Sequence, residues 1–282
     1  MNQLEEYVVG TLDSLNYLVG DTSKLGPNSK KVKDALAKYQ ETWAPDMVED
    51  SKKHHGRPIV PNGELGPVTL GHMQGRSCGC PDFAEDGLEI AEANWPSSCR
   101  HDIKIRLDLR RYSSSRMGLS SETFRQQYVR ALNDWNKEVD LKLSLVPRAD
   151  QARVYVTLDA LSGSTLAWSH LANNSCGRKE QRYDIRRWSA HMLYLTVLHE
   201  VGHLIGLPHR TGNFIMNPSI ITSLRGLTTT DIQRARNLGY GAPDRPDPDP
   251  DPTGPNLSME IVTKDGERLS VTDLESLSLA IK

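Results

Sequence analysis

The stretch LHEVGHLIGLPHR, residues 198–210, brings together residue types that can build a hydrolytic metal centre. On a helix, His199 and His203 stand one turn apart and project from one face, so both imidazoles can reach a single ion. Glu200, next to the first of them, can lean over a metal-bound water without ligating the metal. Gly206 permits a sharp turn that a side chain would resist, and that turn can return His209 to the ion as a third ligand. Three nitrogen ligands leave the fourth position of a tetrahedral zinc open to water, the catalytic rather than the structural arrangement. Zinc brings the pKa of such a water down to about 7. Glu200 is then the general base, taking the water's proton during attack on a carbonyl and returning it to the leaving amine. The plainer reading, a helix with buried or solvated histidines, gives no reason for a glycine and a third histidine at fixed offsets.

HEVGHLIGLPH matches H-E-x-x-H-x-x-G-x-x-H, and through it the chain resembles the metzincin zinc endopeptidases. NFIMNPSI, residues 213–220, is similar to the Met-turn of that group, which implies that Met216 lies beneath the metal histidines. Within the metzincins the chain resembles the matrixins, the matrix metalloproteinase family, over about residues 7–241. The resemblance implies an α+β fold: an α/β metzincin catalytic domain with a twisted, mostly parallel sheet, an antiparallel edge strand and an active-site helix, preceded by a small three-helix prodomain. It also implies one catalytic Zn2+, a protein or peptide substrate and a secreted, extracellular-matrix setting. MNQLEEYVVGTLDSLNYLVG has neither the basic start nor the unbroken apolar run of a signal peptide.

The same resemblance assigns further residues. LTTTDIQRARNLGYG is similar to the last helix of the family's catalytic domain, which implies that Asp231 supports the Met-turn by hydrogen bonds. Locally, Asp231 is equally well explained as a helix N-terminal aspartate near Thr229. Pro218 to Ile220 would line the pocket for the substrate side chain after the scissile bond. Leu166 and Ala167 would lie on the edge strand that pairs with an extended substrate. The chain departs from the family where a second, structural zinc is expected, because Trp168 and Arg182 stand in place of two of its ligands. Asp184 is a candidate calcium ligand, and His170 reads as an exposed strand residue.

Upstream, GELGPVTLGHMQGRSCGCPD, residues 63–82, resembles the end of a matrixin propeptide. Cys78, Gly79, Pro81 and Asp82 match C-G-x-P-D, whereas Arg76 comes one residue early and Ser77 holds the arginine slot. A thiolate is a strong ligand for zinc, and Cys78, tethered in the same chain, can take the fourth position and displace the water. The implied protein is a latent zymogen, activated when another protease removes the propeptide. Ordinary disulfides or an unrelated metal site are the alternatives for Cys78 and Cys80. If Cys78 stays a thiol, one disulfide among the other three cysteines joins Cys99 to Cys176 or Cys80 to Cys99. YQETW and NGELGPVT also resemble the peptidoglycan-binding fold, so the competing functions are a cell-wall-directed hydrolase or wall-binding protein, and a non-catalytic protein stabilised by zinc. A purely structural site has no need of Glu200, which argues against the last.

The elements that must position these residues are partly visible in the spacing of apolar side chains. Leu4, Val8, Leu12, Leu15, Leu18 and Val19 predict a helix ended by Gly20, and Val32, Leu36, Tyr39 and Trp43 a second over about 29–43. A third, short helix is expected at about 66–73, after the turn-rich connector DSKKHHGRPIVPNG. IKIRLDL (103–109) and ARVYVTL (152–158) read as strands, STLAWSHL (164–171) as an edge strand. Helices are expected after Ser120 or Ser121, from about Ile185 to Ile205, and near 229–238.

The expected divisions are therefore a propeptide at 1–83, a connector at 84–98 suited to activating cleavage, a catalytic domain at 99–241, a Pro/Asp-rich linker at 242–255 and a tail at 256–282 that could form a hairpin. With 37% hydrophobic and 25% charged residues the composition is that of a globular chain. A formal charge of −2 gives no sign of a nucleic-acid partner, and no run approaches the roughly 18 apolar residues that span a bilayer.

Overall fold

The computed structural model describes residues 3–22, 24–54, 59–86, 88, 90, 92–243, 259–262 and 268–271. Residues 1–243 form one compact unit, and its described part holds two separate apolar cores. The first is helical: α1 (Gln3–Ser14), α2 (Lys30–His54) and α3 (Pro67–Gly75) bury Leu12, Leu36, Tyr39, Trp43, Met47 and Met73. The helix expected to run to Gly20 ends at Ser14, because Asn16 takes a left-handed φ of 61°. The second helix continues past Trp43 through Pro45. Met47 extends the buried stripe by another turn, and burial of Trp43 and Met47 offsets the hydrogen bond that proline cannot make.

The second core surrounds a five-stranded sheet built from β1 (Ile103–Leu107), β2 (Leu143–Leu145), β3 (Val154–Asp159), β4 (Ala167–Ser169) and β5 (Lys179–Asp184). The strand order is β2-β1-β3-β5-β4; only the edge strand β4 runs antiparallel to its neighbour. The sheet is thus mostly parallel with an antiparallel edge, as expected, although β2 and β5 are strands the apolar pattern did not announce. In β5 the inward positions are Lys179, Gln181 and Tyr183, so a buried strand carries a polar sequence. Gln181 is satisfied there: its amide donates to Ser169 Oγ and to the Glu200 carbonyl.

The one-turn helix α4 (Ser114–Met117) leads into α5 (Ser121–Glu138), capped by the Ser120 hydroxyl on the Thr123 amide. Helix α6 (Ala190–Leu204) begins five residues later than the sequence suggests, because Ser189 accepts the Met192 amide and sets the N-cap. From Leu193 to Leu204 every residue of α6 is buried. Trp135 of α5 donates to the Leu198 carbonyl, and Trp95 and Tyr240 donate to the Leu204 and Ile205 carbonyls. The Leu204 and Ile205 carbonyls, which the helix end leaves free, are thereby satisfied inside the core. Helix α7 (Thr229–Ala235) follows and passes into one irregular turn over 236–240.

Of the four cysteines, Cys99 and Cys176 form a disulfide across 77 residues, while Cys78 and Cys80 are free and buried. Beyond this unit, β6 (Met259–Val262) and β7 (Arg268–Val271) pair as an antiparallel hairpin. Apart from Ala242 and Pro243 the linker lies outside the described residues, as does the rest of the tail. Among the described residues no helix is long and apolar enough to cross a membrane.

Candidate metal centre

Helix α6 presents His199 and His203 from adjacent turns, and the chain then reverses at Gly206. That residue has a φ of +105°, and a Cβ on it would fall 1.6 Å from the Ala93 carbonyl oxygen. Glycine is required twice over, by the backbone angle and by the segment crossing it. The reversal is fixed by the Gly206 and Leu207 amides, which donate to the His203 and Gly202 carbonyls. It returns His209 to the helix.

The three imidazoles converge through Nε2: His199 lies 3.0 Å from His203, and His203 lies 3.2 Å from His209. Each ring is held from behind at Nδ1, by the Ile215 carbonyl at 2.7 Å, the Leu207 carbonyl at 2.8 Å and Asp82 Oδ1 at 2.8 Å. A carbonyl or carboxylate can only accept, so Nδ1 carries the hydrogen and each Nε2 turns a lone pair toward the shared centre. Three lone pairs at such distances repel unless a cation stands among them. Nitrogens on one tetrahedral zinc would be separated by about 3.3 Å, and nitrogen and thiolate sulfur by about 3.6 Å. The fourth donor is Cys78, whose Sγ lies 3.4 Å from His203 Nε2. The ligand atoms of Cys78, His199, His203 and His209 all fall within 4.8 Å of one another, so this buried group could hold a metal ion.

Met216, fully buried, packs against helix α6 at Gly202. A Cβ on Gly202 would come within 2.2 Å of its sulfur, so the glycine of the helix makes room for the methionine. Asp231 fixes that turn: its carboxylate accepts from the amides of Ile215 at 3.0 Å and Met216 at 3.4 Å. It also completes a capping box with Thr228, which fits the local reading of Asp231 as a helix N-terminal aspartate. Because the Ile215 carbonyl accepts from His199, Asp231 is linked to that ring through one intervening residue.

The segment around Cys78 lies across the residues expected to receive substrate. Ser77 and Cys78 amides both donate to the Pro218 carbonyl, at 2.8 and 3.0 Å. Gly79 donates to the Ala167 carbonyl, Leu166 donates to the Ser77 carbonyl, and Cys78 forms a parallel bridge with Ala167. The Ile220 amide points at Ser77 Oγ, 3.4 Å away. Residues 77–79 therefore lie between Leu166–Ala167 and Pro218–Ile220, tied to the first pair by one isolated parallel bridge.

Arg76, although displaced by one position, forms a two-pronged ion pair with Asp82 at 2.8 and 3.1 Å, both side chains almost fully buried. Asp82 accepts further from Tyr17 and Trp43. A second tie comes from Asp46 of α2, which accepts from the Gly212 amide and the Asn217 side chain in the loop around Met216. Asp46, and the contact of Asp82 with His209, had no counterpart in the sequence reading: an acidic residue on a helix or in a turn carries no mark of its distant partner.

Charge follows burial. His199 is pushed down to about 3 by burial and then by neighbouring His209, and His203 is depressed in the same way. For His209 burial acts downward, but Cys78 and Asp82 outweigh it and raise it. Burial, then Cys80, pushes the Cys78 thiol up, and burial, then Cys78, pushes Glu200 up. A divalent cation at the Nε2 centre reverses that tendency for the thiol, since it compensates the thiolate charge. Glu200 is fully buried; its Oε2 is 3.9 Å from Cys80 Sγ and its Oε1 has no hydrogen-bond partner.

The remaining expectations fall outside the centre. Trp168 and Arg182 face each other across β4 and β5, with the guanidinium over the indole at 5.6 Å. His170 is exposed and accepts the Glu180 amide. The Asp184 carboxylate is engaged by Arg186 and by the Leu161 amide, so a calcium ion there would compete with a guanidinium. Comparison of the sequence with models of known protein families gives no match.

Proposed function

We propose that the chain is a zinc-dependent endopeptidase of the matrixin type, latent because its N-terminal segment occupies the metal and the substrate cleft together. The observation that carries this reading is the four-donor cluster with a buried carboxylate beside it. His199, His203 and His209 would hold one zinc ion, and Cys78 would complete its shell in the latent form. Such an ion supplies an acidified water and a Lewis acid for the peptide carbonyl.

The protein's own residues do the rest. Leu166 and Ala167 offer main-chain hydrogen bonds to an extended peptide, and Pro218 and Ile220 form the facing wall. Glu200, once cleared of Cys78 and Cys80, accepts the attacking water's proton and passes it to the leaving amine. Its spare Oε1 supports this role, since a buried carboxylate oxygen without a partner is costly unless a function retains it. Cys80 against Glu200 also supports latency at the base as well as at the metal. That Asp46 and Asp82 are spent on the Met-turn loop and on His209 supports an inhibitory rather than wall-binding role for the N-terminal helices.

The test is limited proteolysis of the zinc-loaded chain within residues 84–98, followed by assay on casein and on purified cell wall. Casein cleavage that appears with loss of the N-terminal segment is expected. Wall hydrolysis alone, or no hydrolysis by the chain freed of its N-terminal segment, would refute the reading.

A further inference from the structure

Asp82 belongs to the N-terminal segment, yet its Oδ1 receives the Nδ1–H of His209 at 2.8 Å, with both side chains only 3% exposed. The other two metal histidines are restrained by carbonyls of the domain that carries them, Ile215 and Leu207. His209 is the exception: it sits after the reversal at Gly206, outside the helix, and its restraint comes from a residue 127 positions away. The carboxylate is itself fixed by Arg76, Tyr17 and Trp43, all donors.

We infer that Asp82 is a positioning residue for the third metal ligand, so that the latency segment strengthens metal binding through His209 as well as through Cys78. A carboxylate behind a ligating imidazole orients the ring and makes its far nitrogen a better donor. Loss of the segment therefore opens the metal and also relaxes its outermost protein ligand, and the latent chain holds the ion more firmly than the processed one for two separable reasons. This inference rests on the metal centre proposed above but not on peptidase activity.

The experiment measures metal affinity of the full chain by competition with a chromogenic chelator, using zinc and, in parallel, cobalt(II). The thiolate-to-cobalt absorption band reports whether Cys78 is still a ligand. Asp82→Asn is the test variant: it keeps the shape, but every partner of Asp82 is a donor, so the amide must set an N–H against one of them. Tyr17→Phe is the control, since it removes one hydrogen bond to the same carboxylate and leaves His209 untouched. The inference predicts about a 10- to 100-fold loss of affinity in Asp82→Asn with the thiolate band retained, and no more than about a twofold change in Tyr17→Phe. Unchanged affinity in Asp82→Asn overturns it. So does an equal loss in both variants, or a loss that comes with disappearance of the band, because Asp82 would then act only by docking Cys78. A wild-type chain that binds neither ion would instead refute the metal centre itself.

Discussion

The sulfur of Cys78 lies 3.4 Å from Nε2 of His203, although 125 residues separate the two in the chain. That approach is reached by backbone contacts rather than by the thiol: Ser77, Cys78 and Gly79 are held by Pro218 and Ala167 on the two sides of the cleft. Replacing the thiol should therefore leave the segment in place long enough for water to enter. Cys78→Ser is expected to give measurable peptidase activity in the uncleaved chain, short of the processed level because the cleft and Glu200 remain partly covered. A full-length Cys78→Ser protein as silent as wild type would remove the thiolate from the account of latency.

Glu200 is fully buried and stands outside the group of three histidines and Cys78, although its carboxylate also falls within 4.8 Å of donor atoms of Cys78, Cys80 and His203. In Glu200→Gln the fold and metal content should be unchanged, while processed enzyme loses roughly 10²- to 10⁴-fold in turnover, the usual contribution of a general base. Metal analysis and kcat on the same sample check it; near-wild-type turnover would sink the assignment.

Gly206→Ala should be poorly tolerated. The angle of +105° disfavours any side chain, and the Ala93 carbonyl occupies the place of the new carbon. A cost of about 2 kcal/mol or more is expected in metal-free chemical denaturation, and chelator competition should show weaker metal binding because His209 depends on that turn. Equal stability and affinity would mean the reversal is not what places the third histidine.

His72, buried beside Tyr39 and Trp43, offers a pH test away from the candidate metal centre. Burial, then nearby Arg76, lowers it from 6.5 to about 4, against the opposing pull of Asp82. Above pH 6.5 the ring is neutral whether folded or unfolded and costs nothing. As pH falls from 6.5 toward 4 the unfolded chain binds the proton first, so stability is lost across that interval, by as much as about 3 kcal/mol. His72→Phe should flatten this loss in denaturation curves between pH 7 and 4. An unchanged pH slope would show that other groups govern it.

The metal cluster was legible from spacing alone, since i, i+4 histidines, a glycine and a third histidine impose geometry locally. The edge strand was read from its own residues and the assignment of Met216 came from resemblance; Asp231 accepts from the Ile215 and Met216 amides, and Ala167 bridges Cys78. Strand β5 stayed hidden because its buried face is Lys179, Gln181 and Tyr183, a polar pattern made tolerable by Ser169, Tyr128 and the Glu200 carbonyl around Gln181 and by Asn173 at Lys179. The extension of α2 was hidden by Pro45, which marks an end locally but is overridden by the burial of Met47. Spacing could not choose the partner of Cys99 either, because the choice of Cys176 depends on how the two segments meet in space.

The most direct measurement is X-ray absorption at the zinc edge of the uncleaved chain purified without chelator. One zinc with three nitrogen neighbours at about 2.0–2.1 Å and one sulfur at about 2.3 Å is the predicted result. Absence of zinc, or a shell without the single sulfur, would contradict a latent centre built from His199, His203, His209 and Cys78.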